Sequence, residues 1–151
     1  MKTFAQLVNE QLGAVQEVFP WDVEERLDKG EAPMLLDIRE ESEFSAMRIA
    51  GSLNVPRGIL ESACEYDYEE TVRELVEARD REVVIICRSG NRSVLAAVTM
   101  QIMGYNKVAS LKTGLRGWND YELELVDAAG ITVNIDQADE YFTTHLRPDQ
   151  M

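Results

Sequence analysis

Cys87 is followed by Arg88, Ser89, Gly90, Asn91, Arg92 and Ser93, an unbroken polar run directly after the apolar stretch Val83-Val84-Ile85-Ile86. Cysteine chemistry belongs to the thiolate, and a free cysteine ionises near pH 8.5, so a useful nucleophile needs surroundings that favour the anion. Three features of this run do so. A loop that enters a helix at Arg92 or Ser93 turns unpaired N–H groups and the positive end of the helix dipole toward its own centre. Arg88 and Arg92 place two permanent cations within a few residues of the sulfur. Gly90 can take a positive φ and curl the amides into an anion nest, which the short side chains of Ser89, Asn91 and Ser93 would complete. The ordinary alternative is an inert, buried cysteine. Such a cysteine is not usually followed by a polar loop with two arginines, and the expected chemistry is nucleophilic attack by Cys87 on a small anionic substrate. The other cysteine, Cys64, sits between Ala63 and Glu65 with Glu61 nearby. Acidic neighbours disfavour its thiolate, and it reads as structural, with a resolving thiol as the lesser alternative.

The elements that must position Cys87 follow a βα alternation. Phe4, Leu7, Val8, Leu12 and Val15 fall at helical spacing and predict an amphipathic helix over 3–15. Pro20 interrupts, Asp22 can cap a short helix through about Leu27, and Met34–Ile38 is a compact apolar strand. Glu40–Met47 reads as helix, Ser52–Val55 as a short strand stopped by Pro56, and Glu69–Asp80 as a helix with Val72, Leu75 and Val76 inward. Val83–Ile86, β-branched or Ile throughout, reads as a central parallel strand covered on both faces. Ser93–Met103 is a helix with a broad apolar face, Val108–Leu111 a strand and Leu115–Leu123 a short helix. The expected fold is α/β: an open, mainly parallel central sheet flanked by helices on both faces. Cys87 then lies at the carboxyl end of a buried strand, where ligands of open α/β sheets bind. The expected organisation is an N-terminal helical extension over 1–17, a main domain over 18–126 and an acidic C-terminal tail over 127–151. Tyr141, Phe142 and Leu146 would dock the tail on the body or on a second subunit, or else the end is frayed.

Composition narrows the function classes. Hydrophobic residues make up 45% of the 151-residue chain and charged residues 28%, which is too apolar for disorder. The net charge is −13, yet residues 81–116 carry six basic side chains against Glu82 alone. An acidic exterior argues against nucleic-acid or anionic-membrane partners, and a local basic island around Cys87 suits a small anion. The N-terminus has no apolar core of a secretory signal and no segment approaches a membrane span, so the expected setting is the cytoplasm with both cysteines reduced. One histidine and two separated cysteines offer no metal-ligand spacing, and no cofactor motif occurs.

Four motifs, in order, resemble the single-domain rhodanese family. They are Leu36-Asp37-Ile38-Arg39-Glu40 with Glu43-Phe44, Ile49-Ala50-Gly51-Ser52-Leu53-Asn54-Val55-Pro56, the loop Cys87–Ser93, and Leu111 followed by Gly114 and Trp118. The resemblance covers about Trp21 to Trp118. It implies a sulfurtransferase in which Cys87 takes sulfane sulfur from a donor such as thiosulfate or a persulfide. Cys87 then passes it to cyanide, a low-molecular-weight thiol or a partner protein. It further implies that the amides of residues 88–92 cradle the outer sulfur, that Arg88 and Arg92 supply positive field, with Arg92 anchoring the loop, and that Asp37 and Arg39 brace the site. Arg48 stands where many members have His, and Thr113 where many have the first Gly of a pair. Trp118 reads as a core aromatic, and Arg116 as a residue of the site's rim or of the solvent.

Two other functions share these features. Cell-cycle dual-specificity phosphatases resemble the same fold but have five residues between Cys and Arg. Four separate Cys87 from Arg92. The shorter loop suits one sulfur atom better than the oxygens of a phosphate. A non-turnover persulfide carrier or protein-interaction module would need the same cradle, with the acidic segments 61–80 and 117–151 as partner surfaces. The oligomeric state is not encoded in these motifs.

Overall fold

A computed structural model describes residues 1–151. Five strands, β1 (Gln16–Val18), β2 (Met34–Asp37), β3 (Leu53–Asn54), β4 (Val83–Ile86) and β5 (Val108–Leu111), form one sheet in the order β1-β5-β4-β2-β3. Every pairing is parallel, with Met34 opposite Val83 and Val83 opposite Val108. The helices are α1 (Phe4–Gln11), α2 (Pro20–Asp28), α3 (Glu41–Ala46), α4 (Leu60–Ala63), α5 (Arg73–Val76), α6 (Arg92–Ile102), α7 (Gly114–Asp120) and α8 (Ile135–Phe142).

The period-2 alternation of each strand divides the core in two. Met34, Leu36, Val83, Ile85 and Val108 pack with Val8 of α1, Leu60 of α4, Leu75 of α5 and Val94 and Met100 of α6. Leu35, Val84, Ile86 and Leu111 face the other way, against Val23 of α2, Leu115 and Trp118 of α7 and Phe142 of α8. Both faces of β4 are therefore dry, as its uninterrupted apolar sequence requires. Cys87 continues the first series beyond Val83 and Ile85, which puts its side chain on the α1/α6 face.

Four features depart from the sequence-based expectation. The N-terminal helix ends at Gln11, passes through a 3-10 turn over Leu12–Ala14, and the chain then enters edge strand β1. Three residues paired only with β5 are too short for a period-2 pattern to show. Pro20 opens α2 rather than merely interrupting: it occupies the first turn, where a missing N–H costs nothing, and the Asp22 carboxylate accepts from the Phe19 N–H at 3.2 Å. The helix expected over 69–80 contracts to Arg73–Val76, preceded by the separate helix α4. The stretch Glu65–Thr71 is a run of turns in which the Thr71 hydroxyl bonds the Glu65 carbonyl. The C-terminal stretch contains α8, capped by the Asn134 side chain, with Ala138 and Phe142 buried while Tyr141 and Leu146 stay exposed. Of the three residues expected to dock this end, Phe142 alone packs into the body.

Candidate active site

The loop from Cys87 to Asn91 joins β4 to α6, and three groups of this loop and the first turn of α6 converge on the sulfur. The Gly90 N–H lies 3.1 Å from Sγ and the Ser93 N–H 3.4 Å. Ser93 Oγ lies 3.3 Å from Sγ and 2.7 Å from Ser110 Oγ on β5. Ser93 and Ser110 are wholly buried, and Cys87 itself is 1% exposed. The cradle is thus built from two amides, donors that solvate an anion, and a hydroxyl that accepts from the Cys87 thiol and is paired with Ser110. The side chains of Ser89 and Asn91 point outward into solvent and take no part in it. Asn91 occupies the cap position of α6 without a side-chain capping bond.

Backbone geometry holds this loop against β5 and α7. Gly90 has φ +87°, and a Cβ there would lie 2.8 Å from the Thr113 nitrogen. Gly114 has φ +58°, and a Cβ there would lie 2.6 Å from the carbonyl oxygens of Cys87 and Arg88. That close approach lets Leu115 N–H donate to the Cys87 carbonyl at 3.0 Å and Arg116 N–H to the Arg88 carbonyl at 2.9 Å. Thr113 adopts φ +68°, a left-handed conformation costly for a β-branched residue, and its hydroxyl donates to the Lys112 carbonyl. Thr113 thus keeps a glycine-like backbone while carrying a β-branched side chain.

The two loop arginines have separate engagements. Arg92 makes a two-pronged ion pair with Glu43 of α3, both bonds 3.1 Å. Burial opposes ionisation of Glu43, but the hydrogen bonds and charge of Arg92, aided by the Glu40 amide and Arg39, hold its carboxyl below the usual carboxylate range. The same pair raises Arg92. Arg88 reaches in the opposite direction and donates to the Phe142 carbonyl at 2.6 Å, at the C-terminal end of α8 where a cation suits the helix dipole. One arginine ties the loop to α3 and the other to α8.

Asp37 and Arg39 are both 0% exposed and pair through Arg39 Nε and Nη2, at 3.0 and 2.9 Å. Arg39 also donates to the Met47 carbonyl at 2.7 Å, and Asn54 Nδ2 bonds the carbonyls of Asp37 and Arg39 at 3.0 Å each. A buried ion pair is tolerable only when its remaining donors are satisfied, which these carbonyls achieve. Arg48 stacks over Phe44, 4.0 Å from the ring centroid, and its Nε is the one buried side-chain polar atom without a partner. Cys64 is buried; burial pushes its thiol up, with Glu61 and Glu65 adding to the effect. Desolvation dominates there, rather than the acidic neighbours that the sequence makes conspicuous. No group of three or more His, Cys, Asp or Glu side chains converges in a metal-binding arrangement, and no helix is long and apolar enough to cross a membrane.

Four residues of this constellation were not singled out as site residues from sequence: Glu43, Asn54, Ser110 and Phe142. Ser110 carries a faint signal, a hydroxyl in the apolar strand Val-Ala-Ser-Leu. Glu43 lies in a recognisable motif but nothing local points it at Arg92, 49 residues away. Phe142 acts through its carbonyl, which no side-chain pattern reports.

A family profile described as Rhodanese-like domain matches residues 20–121. A sulfurtransferase of Allochromatium vinosum is 30% identical over 116 residues, which is 77% of this chain and 99% of that protein. YrkF of Bacillus subtilis, described as a candidate sulfur carrier protein, is 32% identical over 110 residues; these are 73% of this chain but only 54% of that protein. Among solved structures, a Rhodopseudomonas palustris protein described as a possible tyrosine phosphatase superposes with a TM-score of 0.71 at 27% identity, covering 81% of this chain and 92% of that one.

Proposed function

The chain belongs to the rhodanese-like family, and from that premise we propose that it moves sulfane sulfur from an anionic donor to a thiophilic acceptor through a persulfide on Cys87. The observation that carries this reading is the convergence of the Gly90 and Ser93 amides on Sγ within a loop of four intervening residues. In the first step the Cys87 thiolate attacks the outer sulfur of thiosulfate. A new S–S bond forms, the donor S–S bond breaks, and sulfite leaves with the electron pair. In the second step cyanide or a thiolate attacks the outer sulfur of the persulfide, and Cys87 leaves as the thiolate. Both steps keep negative charge on sulfur, so inward-pointing amides serve throughout.

In this reading Arg88 and Arg92 contribute field at the loop while anchoring it, and Asp37, Arg39 and Ser93 hold the cradle in place. Ser89 and Asn91 stand at its mouth, where substrate enters. Steady-state thiocyanate formation from thiosulfate and cyanide tests the proposal. Wild type is expected to turn over and Cys87→Ser to be inactive; a fully active Cys87→Ser variant would overturn it.

A second reading, a carrier that loads sulfur without efficient turnover, draws support from the relative described as a candidate sulfur carrier. It predicts a persulfide on Cys87 with negligible thiocyanate production. Phosphatase chemistry is disfavoured by the four-residue spacing, and aryl phosphate hydrolysis lost in Cys87→Ser would be its signature.

A further inference from the structure

A cleft of about 240 Å³ opens beside the mouth of the Cys87 cradle, between the N-terminal segment and the catalytic loop. Its loop side is Ser89, Gly90 and Asn91, and its far side is Asn9 of α1, Glu17 of β1 and Lys112 just beyond β5. The N-terminal wall lies outside residues 20–121, the region matched by the family profile.

The cleft is tied to the sulfur by short links. Gly90 lines it and bonds Sγ through its amide at 3.1 Å. Glu17 lies opposite Ser110 in the β1–β5 register, and Ser110 Oγ is joined to Sγ through Ser93 Oγ at 2.7 and 3.3 Å. Lys112 follows Ser110 by two residues and so leaves the sheet on the same face. An acid on β1 and a base one residue beyond β5 are therefore diagonally placed, on the side of the sheet that carries the nucleophile.

Neither charge is engaged by another. Glu17 and Lys112 make no ion pair and no side-chain hydrogen bond, whereas Arg92 and Arg39 are both committed to carboxylates. Lys112 rests its ammonium 5.2 Å from the centre of the Phe19 ring, a contact that leaves its charge available. Asn9, Ser89 and Asn91 are exposed, and their side chains are likewise unbonded. Val8 and Leu12 supply an apolar wall. One free cation, one free anion and neutral hydrogen-bonding groups around a small volume, with Gly90 as the wall shared with the sulfur, match a ligand with the inverse arrangement.

We propose that this cleft binds a small α-amino-acid thiol, of the size of cysteine, as the sulfur acceptor. Its carboxylate faces Lys112, its ammonium faces Glu17, and its thiolate reaches the persulfide on Cys87. The acceptor thiolate attacks the outer sulfur, the Cys87 S–S bond breaks, the acceptor becomes a persulfide, and Cys87 regains its thiolate. No oxidant or reductant is consumed. The inference rests on the persulfide reading of Cys87 and adds to it the acceptor class and the residues that select it.

The test crosses acceptors with variants. The protein is loaded from thiosulfate, and transfer to cysteine, cysteamine, 3-mercaptopropionate and cyanide is measured in wild type, Glu17→Gln and Lys112→Met. With cysteine, each variant is expected to lose about three- to tenfold in kcat/KM, the range of one partly exposed charge-assisted contact. Cysteamine lacks the carboxylate, so only Glu17→Gln should affect it. 3-Mercaptopropionate lacks the ammonium, so only Lys112→Met should affect it. Cyanide should be indifferent to both. Equal losses with every acceptor, or no loss with cysteine, would overturn the assignment. Cyanide transfer in wild type separates the two levels: if it fails, the persulfide reading falls, and if it succeeds without the crossed pattern, only the cleft assignment falls.

Discussion

Gly90→Ala isolates the contribution of the loop's backbone to the sulfur. At φ +87° an alanine enters a conformation disfavoured for L-residues by about 1–2 kcal/mol. Its Cβ would also sit 2.8 Å from the Thr113 nitrogen and 3.2 Å from the Leu111 carbonyl oxygen. Those atoms are backbone atoms at the β5–α7 junction and cannot rotate away, so the loop must move outward. That movement draws the Gly90 N–H off Sγ, now 3.1 Å distant. A hydrogen bond to a charged group contributes about 1.5–3 kcal/mol, and its loss corresponds to roughly a 10- to 100-fold fall in thiolate reactivity. The assay is the second-order rate of alkylation of Cys87 by iodoacetamide at neutral pH, read by mass on the Cys87 peptide so that Cys64 does not interfere, alongside urea denaturation. The expected result is a slowed alkylation together with a loss of about 1–3 kcal/mol of stability. An unchanged alkylation rate in Gly90→Ala would refute the idea that this amide supports the sulfur.

Three further predictions concern the supports of the loop. Asp37→Asn leaves Arg39 charged and buried without its counterion and should cost about 3–5 kcal/mol, measured by urea denaturation. Glu43→Gln should cost about 1 kcal/mol near neutral pH, a modest figure because Arg92 is partly exposed to solvent. Because the folded-state carboxyl of Glu43 is depressed, its contribution is present above the unfolded value near 4.3 and disappears as pH falls through the lower folded value. The stability gap between wild type and Glu43→Gln should therefore close on acidification, and a gap that widens toward acid would contradict the assignment. Arg88→Ala should weaken the use of anionic sulfur donors more than neutral ones and loosen α8, whose Phe142 carbonyl loses its donor; hydrogen exchange of residues 135–142 and kcat/KM with paired donors report the two effects.

The parallel strands at the centre of the sheet were legible because burial on both faces writes a continuous apolar run, as in Met34–Leu36 and Val83–Ile86. Cys87 was legible because an apolar strand meeting a polar, glycine-containing loop is a local event. What escaped detection was non-local or backbone-borne. β1 exists only through pairing with β5, and three residues cannot announce that. The acidic run Glu65–Glu70 breaks into turns because its polar side chains have no core to face, so helix propensity went unsupported. Ser110 gains meaning only when β5 sets it beside Ser93, and Phe142 only when α8 brings its carbonyl to Arg88. Arg88 and Arg92 were visible in the sequence as cations close to Cys87, but their anchors on opposite sides of the site depend on tertiary packing.

Intact-mass measurement after incubation with thiosulfate, in wild type and Cys87→Ser, tests the persulfide on Cys87 most directly. The predicted result is a gain of one sulfur atom in wild type, removed by cyanide and absent from Cys87→Ser, with Cys64 unmodified. A wild-type protein that gains no sulfur from thiosulfate or from low-molecular-weight persulfides, or a Cys87→Ser variant that gains it equally, would contradict sulfur carriage at this loop.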